Sequence, residues 1–207
     1  MQDAMLGGWA QETHLSDGTL KSLRALNHRF LDLAAARTNE WVVCGGDSSL
    51  RLAGQVAPLS AVQREAAAAC PYALFDFRFQ DDRHWRLRLQ NLGAWHVADE
   101  SPVGDETVNF VRLALFYAWH VASSTAIAPQ LLLGMNGNTA SALRRITVNQ
   151  LPALVATESA NLSARWCDCA AFWSALTGAA LRSDPAALRR VQLYGLQLAA
   201  AARLPGH

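Results

Sequence analysis

The stretch LGMNGNTASALRRITVNQLPALVATESANLSARW, residues 133–166, decides the fold. It reads as a Gly-Asn turn, a short helix, a break and a second helix. Gly134 and Asn136 set the turn, because glycine and asparagine tolerate left-handed backbone. Thr147 and Gln150 stand three apart ahead of an apolar run, the spacing of a capping box. Leu143, Leu151 and Leu154 then supply a packing face. Leu133-Gly134-x-x-Gly137 lacks the Gly-Lys-Ser/Thr of a phosphate loop, so its glycines are read as turn residues.

Composition favours helices around that kernel. The chain of 207 residues is 51% hydrophobic and 17% charged, enough apolar surface for a sizeable core and too little charge for disorder. Alanine and leucine dominate, and β-branched residues are sparse, which points to an all-α fold. The net charge is +1. A free-standing DNA binder carries a marked basic excess, so any DNA contact is expected to depend on charge from a partner. The cysteines are Cys44, Cys70, Cys167 and Cys169, with no apolar leader ahead of them; free thiols in a reducing cytoplasm are the expectation. The longest apolar stretch, 113–122, is too short to span a bilayer.

Working outward, residues 1–18 read as an N-terminal arm with Trp9 as a docking aromatic. Thr19 is expected to open a helix whose Leu20, Leu23, Leu26, Phe30 and Leu33 form one stripe. Trp41 to Cys44 is a short apolar run, and Asp47 or Ser48 could start a helix reaching Val56. Ser60 and Gln63 make a second capping box. Leu74 to Phe79 alternates like a strand but has no obvious partner, so an extended segment or an aromatic helix turn is expected. Asp81 or Asp82 would cap the next helix, which carries Trp85. Residues 93–104 read as a linker, and 105–207 as a second helical unit after the first over 19–92. That second unit ends in a helix with Asp184 at its N-cap, Pro185 behind it and an awkward Gly195 inside.

A shift of 87 positions lays Leu26 on Leu113, Phe30 on Tyr117, Ser60 on Thr147, Gln63 on Gln150, Arg78 on Arg165 and Phe79 on Trp166. One further residue brings Trp85 onto Trp173. Two similar helical units arranged as a pseudo-two-fold pair are therefore expected, a homodimer made covalent.

The segment from Leu133 to Leu151 resembles the centre of FlhD, the helical subunit of a bacterial flagellar master regulator. The resemblance rests on Leu133-Gly134, Asn136, Ala140, Leu143, Thr147, Gln150 and Leu151. An aromatic-Arg-aromatic element that follows in that family stands here as Phe77-Arg78-Phe79, and in the second unit as Ala164-Arg165-Trp166. The resemblance implies intertwined helices and regulation of transcription together with a second subunit, FlhC. The chain is nearly twice the family's usual length, which fits two units in tandem, and has no zinc-binding cysteine pattern of the FlhC kind.

The chemistry-bearing residues form no catalytic signature. Cys167-x-Cys169 has no second pair to complete a zinc site. His120 sits on an apolar helix and reads as a hydrogen-bonded core histidine. The sequence therefore predicts a non-enzymatic regulatory or interaction protein, with no cofactor and no metal. Its partners would be a protein, DNA reached through that protein, no membrane, and a second copy of the chain as an option. Arg78, Arg144, Arg145 and Arg165 are the candidate contact residues. A ligand-binding protein or enzyme with a pocket between the two units is the alternative, and would gather His120, a cysteine and a carboxylate.

Overall fold

The computed structural model describes residues 16–36, 52–92 and 106–202. The expected features at Trp9, Trp41 to Cys44, Asp47 or Ser48, and the linker 93–104 lie outside those residues. Helix α1 runs Asp17–Ala36, two residues ahead of the expected Thr19, and α2 runs Leu52–Val56. Helix α3 is Ala61–Ala68; Ser60 accepts from the Gln63 amide while the Gln63 side chain accepts from the Ser60 amide. Strand β1 is Phe75–Asp76, and α4 is Asp82–Gln90, capped by Asp81.

The same order returns in the second half. Helix α5 is Glu106–Ser124 and α6 is Gly137–Arg144, with a π-helical turn at Pro129–Leu133 between them. Gly134 closes that turn at φ 70°, and a Cβ there would run into the Arg165 guanidinium. Asn136 caps α6 by accepting from the Thr139 amide at 2.7 Å. The Thr147–Gln150 capping box is present, but a 3-10 turn at Val148–Gln150 precedes α7, Leu151–Glu158. Strand β2 is Ser163–Ala164, α8 is Ala170–Leu181 and α9 is Pro185–Ala201. Among the described residues the fold is all-α apart from one two-stranded ribbon.

That ribbon corrects the expectation for Leu74 to Phe79. The segment does find a partner, because Phe75 pairs with Ala164 and Asp76 with Ser163, antiparallel. A single buried polar side chain prepares it. Asn27 on α1 donates to the Ala68 and Tyr72 carbonyls and accepts from the Leu74 amide at 2.9 Å. Backbone that could not otherwise be satisfied inside the core is thereby paired.

Packing crosses between the halves. Helix α1 lies on α2, α3 and α5, and α5 lies on α6 and α7. Helix α4 packs on α6, whereas α8 packs on α2 and α3. Phe30, Phe75, Phe77, Phe79, Trp85, Phe172 and Trp173 are all fully buried in one continuous core. Phe75 meets Phe110 edge-on at 5.2 Å between centroids. Gly195 is explained by α9's close approach to that core: a Cβ at this position would collide with the Tyr72 ring and hydroxyl. No helix among the described residues is long and apolar enough to cross a membrane.

Candidate functional site

Three of the four arginines singled out by sequence are held by the fold. Arg78 has a left-handed backbone, φ 55°, and its guanidinium bonds Asp81 at 2.6 Å. Arg144 reaches across to the end of α5, donating to the Ala122 carbonyl at 2.8 Å and the Thr125 carbonyl at 3.3 Å. Ala122 lies in the last turn of α5 and Thr125 just past its end, where carbonyls have no further helical N–H to accept from. Arg165 is buried, donates to the Leu132 carbonyl at 3.2 Å and lies over the Trp166 ring at 4.5 Å.

Arg78 and Arg165 therefore do not hold matching places, contrary to the sequence expectation. The backbone equates Arg78 with Trp166, whose φ is 52°. One arginine is exposed and the other is part of the core.

Arg145 is different. It is exposed on the C-cap of α6, where its backbone N–H bonds the Ala142 and Leu143 carbonyls, and its guanidinium has no hydrogen-bond or ion-pair partner among the described residues. It faces a cleft of about 470 Å³ between α4 and α6. Helix α4 contributes Asp82, Arg86 and Gln90, four apart along one stripe, and α6 contributes Asn138, Ser141 and Arg145. Facing helices usually bring apolar stripes together; here polar side chains rim the space around Trp85 and Ala142, and Ser141 and Ala142 are too small to fill it. Asp82 is taken by an ion pair with Arg86. Thr139, fully buried on the cleft wall, has a hydroxyl with no hydrogen-bond partner among the described residues.

The opposite face of α4 carries a second polar cluster. Glu158, at the end of α7, is fully buried. His84 Nε2 lies 2.9 Å from its Oε2, Arg88 Nε lies 3.2 Å from its Oε1, and Asn161 donates to Oε2 at 3.1 Å. A buried carboxylate needs such company. Sequence reading missed this cluster: His84, Arg88 and Glu158 share no local pattern, and only the docking of α4 on α7 unites them.

His120 is exposed, contrary to the expectation of a core histidine. It lines a small cleft with Thr19 and Ser124, where no cysteine or carboxylate is among the lining residues. Burial pushes the Cys70 thiol up to about 12, which keeps it protonated and unreactive near neutral pH. Cys167 and Cys169 are half-buried free thiols, and Cys169 Sγ sits 3.4 Å from the Tyr194 hydroxyl. Among the described residues no three His, Cys, Asp or Glu gather as a metal set. No family model, curated protein or solved structure matches the chain.

Proposed function

We propose that the chain is a regulatory scaffold of two FlhD-like units in tandem. It would act in the cytoplasm by presenting a helical face to a protein partner that itself contacts DNA. The observation that carries this reading is the register of the ribbon. Phe75 pairs with Ala164 and Asp76 with Ser163; the offset of 88 shared by Arg78–Trp166 and Trp85–Trp173 makes Phe75 the counterpart of Ser163 and Asp76 that of Ala164, one more than the 87 between the Ser60–Gln63 and Thr147–Gln150 capping boxes. An antiparallel pair centred on equivalent residues is the pattern a two-fold axis through the ribbon would give. The exchange of α4 and α8 between halves supports an intertwined pair, the arrangement the resemblance implies. With a net charge of +1, the chain would rely on its partner for most phosphate contacts.

The test is a gel shift with the full chain, an FlhC-type subunit and flagellar promoter DNA at two salt concentrations. The expected result is a three-component complex that weakens steeply with salt, and no shift by the chain alone. Failure of the chain to bind the subunit in a pull-down, together with no added shift, overturns the reading.

A second reading has its own support. The α4–α6 cleft lies between a helix of the first half and a helix of the second, where the alternative of a small-ligand-binding protein puts its pocket. Ligand-induced NMR shifts confined to α4 and α6 are its expected signature.

A further inference from the structure

Resting on that second reading, we propose that the α4–α6 cleft binds the oxyanion of a metabolite-sized ligand, a phosphate monoester or a di- or tricarboxylate, through Arg145. The charge balance of the lining points there. Asp82 is the one acid on the wall, and Arg86 already neutralises it. Arg145 then adds a guanidinium that nothing among the described residues balances. Its neighbour Arg144 makes the contrast plain, since two carbonyls of the α5 end hold that side chain. Consecutive arginines thus have different work: one closes a helix end, and the other faces an open cleft.

The space suits such a ligand. A volume of about 470 Å³ falls within the few hundred to a thousand Å³ typical of small-molecule sites. A planar guanidinium matches two oxygens of a carboxylate or phosphate at once. Asn138 and Ser141 add side-chain donors on the same wall.

The experiment titrates the full chain with citrate, with inorganic phosphate and with a panel of neutral fragments at low ionic strength, following backbone amide shifts by NMR. Arg145→Gln is compared with Arg190→Gln, an exposed position on α9 remote in sequence from the cleft. The expected result is saturable one-to-one binding of at least one anion, with shifts on α4 and α6. Affinity should fall about tenfold in Arg145→Gln, the effect of losing a charge-assisted pair, and stay within twofold in Arg190→Gln. The citrate and phosphate arms distinguish the two ligand chemistries. Equal weakening by both variants, or an Arg145→Gln variant that binds as the parent does, overturns the proposal. If neutral fragments shift α4 and α6 but neither anion does, the proposal fails while the pocket reading stands. If nothing shifts these helices, both fail.

Discussion

Helices α4 and α8 each present a fully buried tryptophan whose indole donates to a carbonyl eight residues earlier: Trp85 to Phe77 at 3.1 Å, Trp173 to Arg165 at 3.0 Å. Around that shared anchor the two seats differ. Beside Trp85, α4 carries His84 and Arg88, which close on the buried Glu158. At the corresponding places beside Trp173, α8 carries Phe172 and Leu176, both fully buried. Phe172 stacks edge-on with Trp166 at 4.9 Å and lies near Tyr72 at 6.3 Å. Helix α9 then covers α8, with Tyr72 donating to carbonyls of α9. One geometry is thus held by ion pairing on one side and by aromatic packing on the other. The aromatic side is sealed by an extra helix.

The largest test removes the shared anchor. Trp85→Ala and Trp173→Ala should each cost about 3–5 kcal/mol, through lost burial, a residual cavity and an orphaned carbonyl. Equilibrium urea unfolding measures both. If the seats are equivalent, the two losses agree within about 1 kcal/mol, the scatter expected from local relaxation. A near-neutral result at either tryptophan breaks the comparison.

The polar seat can be tested against the apolar one. Glu158→Ala should cost about 3 kcal/mol, because it leaves His84 and Arg88 facing a hole where a buried charge stood. The triple variant His84→Phe, Arg88→Leu, Glu158→Leu copies the side chains of α8 onto α4. It should recover to within about 1 kcal/mol of the parent, since well-packed apolar groups commonly replace a buried ion cluster at little cost. A triple variant no more stable than Glu158→Ala alone would mean that the polar cluster fits its seat in a way hydrophobic groups cannot.

Local chemistry is what the sequence makes readable. Both capping boxes, the Asp184–Pro185 helix start and the burial of Leu143, Leu151 and Leu154 follow from residues within a few positions of one another. The features that hold the halves together do not. Asn27 sits in an apolar stripe and looks out of place until residues 68–74 fold onto it. A two-residue strand has no signal without its partner 87 positions away. The alignment of Arg78 with Arg165 followed identity, whereas the backbone follows the left-handed residue, which is Arg78 in one half and Trp166 in the other. His120 shares a helix with a wide apolar face but projects from its exposed side. The cleft was out of reach for the same reason as the ribbon: Arg86 and Arg145 lie 59 positions apart in the chain, and no periodicity within either helix marks them as neighbours.

The smallest expected effect separates the two seats at their first residue. Asp81 caps α4 by accepting from the His84 amide at 2.9 Å, whereas Cys169 at the head of α8 makes no side-chain cap bond. The His84 amide, aided by Arg78, holds the Asp81 carboxyl below its ordinary value of 3.8. A carboxyl depressed on folding stabilises the native state above its unfolded pKa, and that contribution is lost as pH falls through the folded value. Asp81→Ala should therefore lower the unfolding midpoint at pH 7 by a small amount, and the gap to the parent should shrink below pH 3.8. Asp81→Asn keeps a capping oxygen, so at pH 7 it should fall between the two. Cys169→Ala has no cap bond to lose and should show no such pH-dependent gap. A gap at Asp81 that persists unchanged into acid would assign its role to packing and remove this difference between the helices.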